Sequence, residues 1–289
     1  MVTVTTFPDI VTTDAPLAQR TSFGIGGVAK QFIQPRSVDE LAEVVGFLND
    51  SGAPYRILGG GTNLLIRSRE ISEPVLHLGR MRSMRFNGAS VDADAGVSLG
   101  RFVTECGAAG LAGPEALAGV PGTVGGAAVM NAGGKHGYIG GMVKGVTVLH
   151  GAGVRTLPAD KIEFGYRTSS LRGETVAAVS FALQKADRAE IARRRQSILA
   201  GKKLSQPLRA RSAGCVFRNP PARHAGRLID SAGLKGARVG GARVSPVHAN
   251  FIVNAGGATA DDVLALIEKI QKEISKIYNL ALELEIEIW

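Results

Sequence analysis

GVPGTVGGAAVMNAGG, residues 119–134, is the least ordinary stretch of the chain, with glycine at six of its sixteen positions. Such a run presents backbone, and so suits a segment that must approach a ligand or another backbone closely. Pro121-Gly122 makes a turn, and Thr123 can open a short helix whose small residues, Gly125 and Gly126 among them, admit a pyrophosphate against its N-terminus. Close helix packing would explain the same residues. Upstream, LGGGTNLLI (58–66) poses a similar choice. At Gly59, Gly60 and Gly61 backbone N–H groups can converge on phosphate oxygens, while Thr62 and Asn63 add hydrogen bonds or tolerate turn geometry. A tight connection between strands is the alternative. The GxGxxG fingerprint of dinucleotide-binding turns is not met, because Leu64 stands where its last glycine belongs.

Around these two stretches the first half alternates short β-type runs with helical patterns, as in α/β or α+β modules. Ser37-Val38-Asp39-Glu40 is a capping box for a helix over about Val38 to Asn49, carrying Val38, Leu41, Ala42, Val45 and Leu48 at helical spacing. Ser98 caps a second helix, Leu99 to about Ala109, with Leu99, Phe102, Val103 and Cys106 on one face and Gly110 as its stop. Strands are expected at 55–58, 143–149, 154–157 and 175–183. A polar, Arg-rich helix over about 187–200 marks a domain boundary near 187. Beyond it the pattern predicts a strand around Cys215 to Phe217, a short helix from about His224 to Ala232 and strands within 238–254. A long helix capped by Thr259 should carry Val263, Ile267, Ile270, Ile274 and Ile277, and LELEIEI (282–288) should form a final strand.

Composition narrows the classes. The 289 residues are 45% hydrophobic, enough for a substantial core. No apolar run reaches the roughly 20 residues of a spanning helix, and the opening MVTVTTFPDIVTT lacks the features of a secretory signal, so a cytoplasmic protein without membrane insertion is expected. Two cysteines, Cys106 and Cys215, with no CxxC and no His cluster, indicate neither a disulfide framework nor a metal site. Net charge is +9, and residues 188–245 hold 14 Lys/Arg against 2 Asp/Glu, a field that favours an anionic ligand. Nucleic acid is one such partner, but aromatic residues are scarce among the basic ones, so a small pyrophosphate is preferred. Gly96-Val97-Ser98-Leu99-Gly100 fits the GxSxG hydrolase elbow, a short pattern that helix capping by Ser98 already explains.

Taken together, in this order and at this separation, the two glycine-rich stretches resemble the FAD-binding loops of the vanillyl-alcohol-oxidase type of flavoprotein, and most closely those of the UDP-N-acetylenolpyruvoylglucosamine reductases. TSFGIGG (21–27), FGYRTS (164–169), SAGCVFRNP (212–220), GLKGARVGGARVSPVHANFIVN (233–254) and LELEIEIW (282–289) extend the resemblance over nearly the whole chain. It implies an α+β chain with a two-part FAD-binding domain (1–70 and 71–187, with 282–289 returning to the first part) and a C-terminal α/β substrate domain (188–281). It implies non-covalent FAD held by Gly59, Gly60, Gly61, Thr62, Asn63, Leu64, Pro121, Gly122, Thr123, Gly125, Gly126 and Asn131. NADPH is the implied electron source, although no motif reading a 2′-phosphate is recognisable. Arg167 falls on the family's catalytic arginine, Cys215 on its proton donor and Glu285 on its catalytic carboxylate; Arg218, Asn219 and His248 are the residues chosen here for the substrate.

Pattern alone would make Arg167 a surface charge, Cys215 a small core residue and Glu285 the solvent face of a strand. Three departures stand out. The donor is more often Ser in the family, Glu287 replaces the Arg usual after the catalytic Glu, and KHGYIGG (135–141) runs on without the insertion of the longer class. Two rivals remain at this stage: an FAD-dependent oxidase of the same fold, for which His136 just after the second loop is the one nearby residue able to tether a flavin, and a basic nucleic-acid-binding protein.

Overall fold

The computed structural model describes residues 7–151 and 153–289. Residues 1–6, the start of the segment inspected for a signal, and Ala152 lie outside them. The chain forms two compact units: one takes in residues up to Ala15, Ala29–Gly60 and Ser72–Ala200, the other Pro16–Val28, Gly61–Ile71 and Gly201–Trp289.

Two larger sheets lie mainly in the first unit, beside three two-stranded ones. In one, strands Val11–Pro16, Val28–Ile33, Val75–His77 and Arg56–Leu58 lie in that order. Val75–His77 pairs in parallel on both sides, with Phe32 opposite Val75 and Ile57 opposite Leu76. Parallel neighbours need a crossover, and the helix Val38–Asp50 supplies one. Ser37 Oγ accepts from Glu40 N–H, but only half of the expected capping box forms: the Glu40 carboxylate accepts from Arg36 N–H at 2.8 Å and pairs with the Arg36 guanidinium at 2.7 Å. A neighbouring cation outcompetes the cap's own N–H for that carboxylate. Leu41, Val44, Val45 and Leu48 are buried on the core face.

The other sheet is antiparallel throughout, in the order Gly153–Pro158, Val143–His150, Thr175–Ala182, Ser90–Asp94, Met84–Asn87. Against it lies the helix Leu99–Ala108, whose Leu99, Phe102, Val103 and Cys106 are all buried as the spacing requires. Phe102 meets Phe181 with ring centroids 4.5 Å apart. Burial pushes the Cys106 thiol up to about 12, which leaves it a core residue without thiolate chemistry. Ser98 Oγ accepts from Arg101 N–H, so the GxSxG serine is a helix cap. The Arg-rich helix runs Arg188–Ser205, longer than expected; Asp187 accepts from Glu190 N–H at its start and Pro207 follows its end.

In the second unit the strands Arg238–Val239, Ala242–Val244 and Ile252–Asn254 form an antiparallel sheet. The helix Ala260–Tyr278 packs on it through Val263, Leu266, Ile267, Ile270 and Ile274, and Thr259 and Asp262 close a full capping box. Ile277, expected on that stripe, is 51% exposed because it stands in the last turn, at the end of the buried face. The other two corrections concern extended segments. Residues 215–217 form no strand, only isolated bridges, Cys215 to Phe251 and Phe217 to Leu284. LELEIEI is a strand only at Glu287–Ile288, because the segment changes partner midway: Arg218 N–H donates to Glu283 O and Glu285 N–H to Val216 O, after which Glu287 pairs with Leu64 and Ile288 with Leu65. Divided between two partners, the alternation never builds one ladder.

Candidate active site

The glycine-rich loop 59–63 leaves its strand with a run of backbone donors. Among the described residues, the N–H groups of Gly59, Gly60, Gly61, Thr62 and Asn63 have no protein acceptor. Consecutive free N–H groups in a turn suit an anion. A Cβ on Gly59 would stand 2.8 Å from Thr123 Oγ1, so the two glycine-rich stretches meet here with room for backbone only. Gly61 has φ 59° and faces Arg20 O at a distance no Cβ would tolerate, while its carbonyl accepts from Ser22 N–H at 3.0 Å. The TSFGIGG segment thereby seats the loop. These observations fit a cofactor carrying phosphates.

The second stretch behaves differently from its sequence reading. Thr123 caps a helix of six residues, Val124–Val129, and the first three N–H groups take protein acceptors: Val97 O, Ala95 O and Thr123 Oγ1. A pyrophosphate on that N-terminus is therefore corrected, since the donors it needs are spent. Gly125 lies against Ala95, whereas Gly126 is exposed. Gly122, at φ 109°, receives Leu99 N–H on its carbonyl, and the preceding Pro121 is exposed.

Arg167 sits in a two-residue connection between the strands Phe164–Gly165 and Thr168–Ser169, at φ 56°. A non-glycine residue pays on the order of 1 kcal/mol to be there. Three hydrogen bonds hold this hairpin on the segment 129–133: Arg167 Nη1 to Gly133 O at 2.9 Å, Ser169 Oγ to Val129 O at 2.8 Å, and Asn131 Nδ2 to Gly165 O at 2.9 Å. Asn131 also accepts from Gly140 N–H and is itself left-handed at φ 42°. Its side chain thus joins the glycine-rich stretch to the arginine hairpin, a link the sequence reading missed.

In the second unit, three distant segments converge. Glu285 N–H donates to Val216 O at 2.8 Å, next to half-buried Cys215. Asn63 Nδ2 donates to Glu285 O at 3.2 Å, and Glu287 N–H to Asn63 O at 2.9 Å. Leu64 pairs with Glu287. The Arg218 guanidinium stands 4.0 Å from the Glu283 carboxylate, and Asn219 Oδ1 caps the helix Ala225–Ser231 at Ala225 N–H. Thr62 is half-buried. His136, the possible tether, is exposed.

His248 Nδ1 accepts from Asn250 N–H at 3.2 Å, which places the neutral ring's proton on Nε2. Burial first, and the Lys235 charge second, hold this imidazole below its usual range. The fold therefore favours the neutral ring: its contribution is present above the ordinary value of about 6.5 and is lost as pH falls through it towards the lower folded value. His248→Gln is expected to flatten the loss of Tm between about pH 7.5 and 5.5; an unchanged slope would place the acid sensitivity elsewhere.

Among the described residues no helix is long and apolar enough to cross a membrane, and no group of His, Cys, Asp and Glu is placed to hold a metal ion. Residues 29–157 match the model of an FAD binding domain, and residues 206–289 that of the UDP-N-acetylenolpyruvoylglucosamine reductase C-terminal domain. The curated UDP-N-acetylenolpyruvoylglucosamine reductase of Syntrophotalea carbinolica is 41% identical, over 94% of this chain and 92% of that protein; that of Geobacter sulfurreducens is 41% identical over 96% and 93%. The crystal structure of the Thermus caldophilus reductase superposes with a TM-score of 0.86 at 39% identity, covering 96% of this chain and 99% of that one. With its α+β fold, an FAD-binding domain joined to this C-terminal domain, the chain belongs to the UDP-N-acetylenolpyruvoylglucosamine reductase family.

Proposed function

We propose that this chain reduces the enolpyruvyl ether of UDP-N-acetylglucosamine to the lactyl ether, giving UDP-N-acetylmuramate for peptidoglycan precursor synthesis, with NADPH as electron source. Family membership and the FAD-binding domain support it. The observation that carries the reading on this chain's own residues is the convergence of Asn63, Val216 and Glu285 through hydrogen bonds of 3.2 and 2.8 Å. It joins the glycine-rich loop to the backbone of the segments that carry Cys215 and Glu285.

FAD, when bound, supplies a two-electron carrier between NADPH and the enolpyruvyl double bond. The remaining work falls to side chains. Addition of hydride at C3 leaves carbanionic charge at C2, delocalised onto the substrate carboxylate. Arg167 holds that carboxylate through a permanent, planar guanidinium. Cys215 gives its S–H proton to C2, and the thiolate regains a proton from solvent. Glu285 assists at the same charge, as a protonated carboxyl or by orienting a neighbour. Arg218, Asn219 and His248 bind the UDP-sugar, with Asn219 also serving as a helix cap.

Anaerobic addition of the enolpyruvyl substrate to NADPH-reduced enzyme tests the activity: the flavin should return to its oxidised spectrum. A flavin that stays reduced would favour the oxidase reading. We further propose a three-part functional division, with FAD on 1–70 and 71–187 and the UDP-sugar on 188–281, and a cytoplasmic reaction in which nucleic acid is no partner. Amide-exchange protection by the UDP-sugar should then fall within 188–281, at 282–289 and at the hairpin that carries Arg167.

The positive stretch 188–245 should make substrate capture sensitive to salt, since charges are screened beyond about 8 Å at physiological ionic strength. The apparent KM for the UDP-sugar is expected to rise several-fold from low to moderate salt. A flat response would remove steering by these residues.

A further inference from the structure

We infer that Asn250 is a positioning residue for the proton transfer, holding the Cys215 segment in the one register that presents the thiol; the inference rests on the reading of Cys215 as donor. Asn250 is 3% exposed, and every polar group it has is used. Its Oδ1 accepts from Phe217 N–H at 3.0 Å and its Nδ2 donates to Phe217 O at 2.7 Å. Its own carbonyl accepts from Val216 N–H at 2.8 Å, and its N–H is bound by His248.

A carboxamide has the donor and acceptor of a peptide group, so this pair reproduces one rung of a β-ladder from a side chain. The segment needs it. Residues 215–217 belong to no strand, and their partners on either side are isolated bridges, to Phe251 and to Leu284. In an extended segment a slip by one residue moves every side chain to the other face. Such a slip would take the Cys215 thiol off the face it now occupies and turn Val216 there. The Asn250 rung opposes it, because a slip would carry the Phe217 N–H and carbonyl away from the amide that now holds both. Neither Ser, Leu nor Asp can do this: the first is too short to span both groups, the second offers nothing, and a carboxylate turns an acceptor towards the Phe217 carbonyl.

The experiment compares Asn250→Ala, Asn250→Asp and Cys215→Ala in the FAD-loaded enzyme by anaerobic stopped-flow. For Asn250→Ala, flavin reduction by NADPH should stay within about twofold, while reoxidation by the enolpyruvyl substrate should slow by about tenfold to a hundredfold, the scale of a misplaced reacting group. The solvent deuterium isotope effect on reoxidation should rise above that of the wild type, which a general loss of fold would not produce. Asn250→Asp keeps the volume and the acceptor for Phe217 N–H but sets an oxygen against the Phe217 carbonyl, so it should show the same selective loss; it carries the comparison should the Ala variant not accumulate. If Cys215→Ala is impaired but both Asn250 variants reoxidise at the wild-type rate, or lose both half-reactions equally, the positioning role is wrong and the donor stands. If Cys215→Ala itself reoxidises normally, the donor reading fails, and the inference with it.

Discussion

Cys215→Ala is expected to accept electrons from NADPH at close to the wild-type rate and to lose about 10²- to 10⁴-fold in reoxidation by the enolpyruvyl substrate, the range a positioned general acid contributes. A thiol, like a hydroxyl, carries one proton on its heteroatom that it can deliver to a carbanion. It can therefore stand where most relatives are expected to carry a hydroxyl, and Cys215→Ser should keep substantial turnover. Turnover of the wild type should decline as pH rises through the thiol pKa, because the thiolate has no proton to give. Alkylation of Cys215 should stop reoxidation and spare reduction. An Ala variant with a near wild-type rate in both half-reactions would remove Cys215 from the chemistry.

The second large effect is expected for Arg167→Lys, which should slow reoxidation by about 10²- to 10³-fold, the loss seen when one preorganised donor to a developing anion is removed. Lys keeps the charge and the demands of the left-handed backbone at φ 56°, so the comparison isolates the planar fork. It also loses the geometry of the bond to Gly133 O, by which the guanidinium is aimed. Flavin reduction should change little. Equal loss in both half-reactions would mean that Arg167 serves the cofactor and not the substrate.

Helices with a one-sided apolar stripe and a side-chain cap, Val38–Asp50, Leu99–Ala108 and Ala260–Tyr278, were legible because their signals are local: Ser37, Ser98 and Thr259 each accept from the N–H three residues on. The family likeness was legible because it rests on words such as GGGTN and SAGC that survive as sequence. What the sequence concealed is what depends on partners far along the chain. Alternation in 282–288 predicted a strand, but its neighbours change between Glu285 and Glu287. Thr123 was recognisable as a cap, yet nothing local reveals that Ala95 and Val97 take the amides behind it. Asn131 and Asn250 illustrate the same limit. An asparagine in sequence is a turn former; that one joins Gly165 to Gly140 and the other grips Phe217 is decided by tertiary context.

The Asn63 to Glu285 bond spans 222 positions of sequence, and it makes the second unit a composite of an early piece, a middle piece and the last residues. Contacts so distant form late, since loop closure must be paid before they reward it. During synthesis the sequence of the first unit is present once Ala200 has emerged, whereas Gly61–Ile71 must wait for the strand Glu287–Ile288. The segment that leaves the glycine-rich loop thus finds its strand partner only when residues 287–288 have been made, long after the loop itself.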